Sequence, residues 1–308
     1  MGNIGEVLSI KKIRFVVAGA TGYLGSHLIG YLKSKDIPCM ALGRKLPKER
    51  EISVHNQPVI DWKTDDELVK KLKDFGGQVI INASGYYSRG ETSNEIKNYV
   101  DGNILFPSKL ALASISAGAK RFVHVGSLWE WDQNGGARQR NYYSYSKYSG
   151  SHALDVICKN YRRDFLYHLK INDTYGGHDN REKLIPYIKK CITENQEIEI
   201  ANINKIVNFV HVDDVIQAIL QISNFEDFNK NERVFSLLSN ESVSIRELLE
   251  KISKVVGNSV ALKAPKSASP VSSGLDVWVG APKIPNFKFQ HDLGSGLMEY
   301  FHDTNTRS

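Results

Sequence analysis

The stretch Gly19-Ala-Thr-Gly22-Tyr-Leu-Gly25 constrains this chain more than any other. It follows a short apolar run at residues 13–18 and precedes residues 26–35, where Leu28, Ile29 and Leu32 carry helical spacing. The apolar run is too short for a helix and is flanked by charge and glycine, so it reads as a buried strand. Three glycines between a strand and a helix let the backbone turn sharply and approach a pyrophosphate closely. The helix then offers unpaired N–H groups and the positive end of its dipole to phosphate. Glycines also mark ordinary turns, and it is the strand–turn–helix context that makes this segment a dinucleotide cradle. Its candidate contacts are Gly19, Thr21, Gly22, Tyr23, Leu24 and Gly25.

The alternation continues downstream. Residues 39–42, 59–61, 78–82 and 121–125 read as strands, the last ending in Gly126-Ser127. Helices are expected at 65–75, where acids fill the first turn, and over about 94–117 and 143–161, followed by a strand at 165–171. This argues for an α/β, Rossmann-type doubly wound parallel sheet covered on both faces. Beyond about residue 175 the pattern loosens to helices at 184–193, 213–223 and 244–256 and a strand at 208–211. The expected division is a dinucleotide-binding domain at 13–175 and a smaller substrate-binding lobe over most of 176–308, with some segments returning to the sheet. Residues 263–273, rich in Ser, Pro and Ala, read as a loop.

The chain has 308 residues, enough for such a fold, and a net charge of +6. Its Lys and Arg are scattered among acids, which argues against a nucleic-acid partner and suits an anionic small substrate. No run approaches the roughly 20 apolar residues that span a bilayer, and residues 1–12 carry no secretory pattern. Cys39, Cys158 and Cys191 are odd in number and widely spaced, which fits neither a disulfide framework nor zinc. The histidines show no metal spacing, so no metal is expected. A reducing cytoplasm is the plain reading.

Two further features bear on chemistry. Where NAD-binding chains place an acid after the second strand, this one has Gly43-Arg44-Lys45. Arg44 and Lys45 suit a 2′-phosphate, which favours NADP(H); the alternative is a pair of solvated loop cations. Tyr143-Ser-Tyr-Ser-Lys147 puts a phenol and an ammonium on one helical face. The ammonium and a positive nicotinamide are expected together to lower the phenol pKa, so that Tyr143 exchanges a proton with a substrate oxygen. Lys147 would also hold the nicotinamide ribose. Ser127, at a strand end facing the crevice, would hydrogen-bond the same oxygen; its plain alternative is a turn serine. Tyr142 and Tyr145 are out of register with Lys147 and read as packing or substrate-facing.

Together these motifs resemble the extended short-chain dehydrogenase/reductases, over residues 13–300. The resemblance implies that Ala83-Ser84-Gly85 passes under the cofactor and that Asn103 braces the active-site region. It implies that Asp61, with Trp62 beside it, meets adenine, and that Asp173 lies near the substrate phosphates. Phe209-Val-His-Val-Asp-Asp214 matches an F-x-x-V-x-D element, a strand into an aspartate-capped helix. The segment from Tyr175 to Pro186 looks most like the reductases of the CDP-abequose and paratose synthase kind. Tyr86, Trp129, Asp173, Arg181, Lys183 and Lys205 are then the substrate candidates. Trp129 and Trp131 suit either a sugar pocket or core packing.

Two departures matter. Val207 stands where the family often has a phosphate-gripping arginine, which moves that role to Lys205, Arg181 or Lys183. Leu128-Trp129 follows Ser127 where 4,6-dehydratases have Asp-Glu, so elimination lacks its acid and base. The expected activity is NADPH-dependent reduction of a keto group, at C4, on a CDP-, dTDP-, UDP- or GDP-linked deoxy sugar. The alternatives are a 4-epimerase using NAD(H) and a non-catalytic NADP(H)-binding regulator. A bifunctional epimerase would want a Cys–His pair, but Cys39 and Cys158 are read away from strand ends and His178 as an unpaired loop residue. The resemblance also implies a homodimer and a place in cell-surface polysaccharide synthesis.

Overall fold

The computed structural model describes residues 12–43, 53–88, 90, 92–137, 141–161, 164–224, 232–257, 261–263 and 275–302. Arg44, Lys45, the chain start up to residue 11 and most of the loop read at 263–273 lie outside the described residues.

The first half follows the alternation: β1 (Phe15–Ala18), α1 (Tyr23–Ser34), β2 (Cys39–Leu42), β3 (Ser53–Val54), β4 (Gln57–Ile60), α2 (Asp65–Phe75), β5 (Val79–Asn82), α3 (Ser93–Val100), α4 (Phe106–Ser116), β6 (Arg121–Ser127), α5 (Tyr142–Cys158) and β7 (Leu166–Ile171). The second half adds β8 (Asp173–Tyr175), α6 (Leu184–Thr193), β9 (Ile206–Val207), β10 (Phe209–His211), α7 (Val212–Asn224), β11 (Val234–Leu237), β12 (Val243–Ser244), α8 (Ile245–Val256) and α9 (Leu293–His302).

Local chemistry sets these boundaries. Thr64 accepts the Glu67 N–H to open α2, and Gly76, at φ 68°, closes it in the left-handed region. Capping boxes open α3 (Thr92 with Glu95) and α8 (Ser244 with Glu247). The single long helix expected near 94–117 is α3 and α4 joined by one π-helical turn, Asp101–Leu105.

The main sheet has eight strands in the order β11-β7-β6-β5-β1-β2-β4-β3, parallel except for the β3–β4 hairpin. One face is covered by α1 and α7 and the other by α2, α4 and α5, each over its own apolar cluster. The order reverses direction on either side of β1, which places a ligand crevice at the carboxyl ends of β1 and β5. Ala18 is opposite Asn82 and Asn82 opposite His124, so the loops after β1 and β5 open on one edge. β6 runs three residues further, carrying Ser127 to the same edge.

A third apolar cluster joins α6, α8 and α9 with Tyr175 and Phe209, and this is the core of the lobe. The chain recrosses from there to the sheet, since α7 packs on α1 and β11 pairs with β7. The third strand stops at Ile60, before Asp61. Asp213 does not cap α7: both aspartates lie in its first turn, and Asp214 instead accepts the N–H groups of Gln290 and His291. Cys39 opens β2, at the strand end away from the crevice, and all three cysteines are buried thiols.

Gly150 on α5 lets that helix lie directly on the π turn: a Cβ there would overlap the Asn103 carbonyl oxygen. Alanine favours helix over glycine by about 1 kcal/mol, but overpacking against backbone costs about 1–3 kcal/mol. Gly150→Ala is therefore expected to lower the urea midpoint. A midpoint unchanged or raised would show that the contact yields.

Candidate active site

The crevice occupies about 740 Å³ along the carboxyl edge of the sheet. Its wall includes Gly22, Tyr23 and Leu24 from the first loop, Ala83, Ser84 and Gly85 from the loop after β5, and Ser127, Tyr143 and Lys147 beyond them. The glycine loop is built tightly. A Cβ at Gly25 would overlap the Gly19 carbonyl oxygen, and one at Gly19 would lie 2.8 Å from the Ser84 backbone. No side chain caps α1 at Gly22, so its first-turn N–H groups face the crevice without a side-chain partner. The arrangement fits a dinucleotide, with the pyrophosphate at the start of α1.

Other expected contacts lie off this wall. Thr21 is exposed, Trp62 packs on Phe106, and exposed Asp61 is tied through its carbonyl to Lys71. Asn103 is buried, and its amide is spent on the Tyr86 backbone (2.7 and 3.0 Å) and the Ser146 hydroxyl (2.8 Å). It braces the loop after β5 against α5.

Ser127 and Tyr143 stand together on the crevice wall, with the Ser127 hydroxyl near enough to act on the phenol. Contrary to the expected lowering, the Tyr143 phenol is held well above its ordinary pKa. Burial is the main cause, the charges of Glu130 and Asp173 add to it, and the Ser127 bond opposes it. The Lys147 ammonium donates to the Val125 carbonyl oxygen at 3.0 Å. Burial brings Lys147 itself down to about 8, against the pull of Glu130 and with the push of Lys170.

Glu130 is the residue that sequence reasoning missed. It closes the short 3₁₀ turn Leu128–Glu130 after Ser127 and is almost fully buried. One carboxylate oxygen accepts the Ser127 N–H at 2.8 Å; the other accepts the Ser151 hydroxyl at 2.8 Å and the Lys170 ammonium. Burial would raise its pKa, but Lys170, Lys147 and these bonds hold it below the usual range. Gly126 makes the room: a Cβ there would sit 2.5 Å from Glu130 Oε1 and 2.6 Å from Lys170 Cδ.

Opposite the phenol, the Tyr87 ring meets Tyr143 edge-on at 5.1 Å. Lys183 lies over the Tyr87 and Trp129 rings, at 4.8 and 5.8 Å, and 3.3 Å from Asp173 Oδ1. Tyr86, Trp129, Asp173 and Lys183 all line the crevice. Lys205 faces a side cavity of about 280 Å³ that shares Tyr87, Trp129, Asp173 and Lys183 with it. Trp131 turns away, onto Trp278 and Lys170. Tyr142 packs on Tyr99, and Tyr145 is exposed.

Arg181 is placed differently from Lys183 and Lys205. Its guanidinium is gripped by the buried Asp179 carboxylate and by Thr174, and stacks 3.5 Å over the Tyr23 ring. Its charge is thus compensated within the protein, and it clips the lobe to the glycine loop. His178 is paired with Asn180 at 2.8 Å, not unpaired.

A doubly wound sheet with Ser127, Tyr143 and Lys147 gathered at its switch point defines a nicotinamide-dependent oxidoreductase. Residues 15–237 match the NAD dependent epimerase/dehydratase family, and the chain belongs to it. The CDP-abequose synthase of Yersinia pseudotuberculosis is 26% identical over 253 residues, covering 81% of this chain and 87% of that protein. The CDP-abequose synthase of Salmonella muenchen is 24% identical over 256 residues, covering 80% and 82%. Among solved structures, the UDP-glucose 4-epimerase of Thermus thermophilus in complex with NAD matches with TM-score 0.74 at 16% identity, over 94% of this chain and 98% of that one. UDP-glucuronic acid 4-epimerase from Bacillus cereus, in complex with UDP-glucuronic acid and NAD, matches with TM-score 0.73 at 19% identity over the same shares. These two share the fold. No helix among the described residues is long and apolar enough to cross a membrane.

The Glu130–Lys170 pair yields a test. Removing one member of a buried pair costs about 3–5 kcal/mol, whereas replacing both with residues of similar volume is often neutral. Glu130→Ala is expected to lose that much in urea unfolding, and Glu130→Gln with Lys170→Met to regain most of it. A single-variant loss under about 1 kcal/mol would mean that the pair is not shielded from water.

Proposed function

We propose that this protein is an NADPH-dependent ketoreductase acting at C4 of a CDP-linked 3,6-dideoxyhexose. The observation that carries the reading is the Ser127–Tyr143 pair on the crevice wall, beside Lys147 and the loops that fit a dinucleotide. A phenol in that place can give its proton to a nascent alkoxide. The relatedness to CDP-abequose synthases supports the sugar and the nucleotide. Arg44-Lys45 after β2, with no acid there, supports a 2′-phosphate and hence NADP(H).

When bound, the reduced nicotinamide supplies the hydride that reaches the keto carbon. Gly19 to Gly25 and Ala83 to Gly85 would cradle the dinucleotide, and Lys147 would hold its ribose. Ser127 donates to the keto oxygen and Tyr143 transfers its proton to that oxygen as hydride arrives. Tyr87 and Trp129 offer ring faces to the sugar. Lys183 and Lys205, which both line the side cavity, meet the diphosphate. Glu130 is no acid or base for elimination, because Lys170, Ser151 and the Ser127 N–H occupy both of its oxygens. Exposed Ile96, Val100, Leu105 and Leu112 on α3, the π turn and α4, with Tyr145 and Val156 on α5, support association of two copies through these neighbouring helices.

Tyr143→Phe is expected to lower kcat by about 10²–10⁴-fold while leaving NADPH affinity intact. A regulator that only binds the cofactor would keep its function in this variant. Titration with NADPH and NADH should show preference for NADPH, lost in Arg44→Ala. Equal or better NADH binding would favour the 4-epimerase. Because Lys147 titrates near about 8, its ammonium predominates below that pH and is lost above it. NADPH affinity should therefore fall as pH rises through about 8 in the wild type and stay flat in Lys147→Met. Parallel profiles would remove Lys147 from cofactor binding.

A further inference from the structure

Away from the crevice, the fold gathers two imidazoles and a carboxylate that are distant in sequence. His211 ends β10, His291 lies just before α9, and Glu299 is on α9. One nitrogen or oxygen from each lies within 4.8 Å of the others. His291 Nε2 is 3.2 Å from Glu299 Oε2, and His211 Nε2 is 3.9 Å from Glu299 Oε1. The two rings lie 4.0 Å apart. None of the three lines the crevice.

His211 is only 2% exposed, and its Nε2 has no hydrogen-bond partner among the described residues while facing the Glu299 carboxylate. A buried polar nitrogen left without a partner is costly unless something engages it. Space around it is kept by glycine on two sides. A Cβ at Gly176, where φ is +108°, would overlap this same nitrogen, and one at Gly296 would lie 3.3 Å from His211 Cδ2. Buried Asp214 lies 3.4 Å from His291 Nδ1, where an outer carboxylate stands behind a ligating imidazole. A cavity of about 320 Å³, with Glu241 and Asp292 on its wall, opens onto both histidines.

We propose that His211, His291 and Glu299 bind a divalent transition-metal ion of the zinc type, which ties α9 to the lobe. Bonds of about 2.0–2.2 Å put ligand atoms around one zinc ion roughly 3–4 Å apart; His291 Nε2 and Glu299 Oε2, at 3.2 Å, already stand at that separation, and His211 Nε2 lies 3.9 Å from the other oxygen of the same carboxylate. Two imidazoles and a carboxylate suit zinc over magnesium or calcium, which prefer all-oxygen shells. Glu299 is half-exposed, which leaves a side open to water. The role is structural and independent of the reaction proposed above.

The test uses the tag-free chain, stripped with chelator and titrated with zinc at about pH 7.5 by calorimetry, with metal content read by mass spectrometry. The expected result is one ion per chain and a higher Tm with zinc. His291→Asn and Glu299→Gln should each weaken binding at least about tenfold, the loss that outer partners alone cause, and abolish the Tm shift. His178→Asn, on an exposed loop histidine, should do neither. A wild-type chain without saturable binding, or binding that survives both site variants, overturns the proposal.

Discussion

The parallel register of three central strands organises this molecule. With Ala18 opposite Asn82 and Asn82 opposite His124, the loops after β1 and β5 and the overhang of β6 meet on one edge of the sheet. β1 and β5 are buried at every residue, so a slip of one residue would set each side chain against the opposite apolar layer. The Asn82 amide links His124 at 2.9 Å to Ser84, so the edge is tied across β5 by hydrogen bonds as well as by packing. From that edge, the glycine loop, the loop under the cofactor and the Ser127–Tyr143 pair follow by connectivity.

Electrostatics on this edge are set by burial. Lys147, Lys170 and Glu130 form a nearly dry group of two cations and one anion directly behind Ser127. Glu130 secures the backbone of Ser127 and, with Asp173, keeps the Tyr143 phenol protonated. Burial first, then these two charges, keep the phenol neutral before any ligand adds its own charge.

Features made by neighbours in the chain were legible in the sequence. The glycine loop, the Tyr143–Lys147 spacing and most strands and helices are local patterns. Glu130 was not legible, because its meaning depends on Lys170, forty residues on, and on the room left by Gly126. The Arg181–Asp179 pair was not legible, because Asp179, two residues away, reads as an ordinary loop acid until the fold buries its carboxylate. β11 was missed because Val-Phe-Ser-Leu is too short to show a period, and its edge place beside β7 is a tertiary fact. His211, His291 and Glu299 follow no ligand spacing, since α9 and the turn before it bring two of them to β10 only after the lobe has closed.

The most direct test of the ketoreductase reading follows the hydride. The chain would be given a CDP-linked 4-keto-3,6-dideoxyhexose and NADPH deuterated at the transferable position, and the product weighed by mass spectrometry. The account predicts one deuterium in each sugar, on the former keto carbon, with one NADPH oxidised per product. Product without deuterium, or interconversion of 4-hydroxy sugars with no net NADPH oxidation, would contradict it.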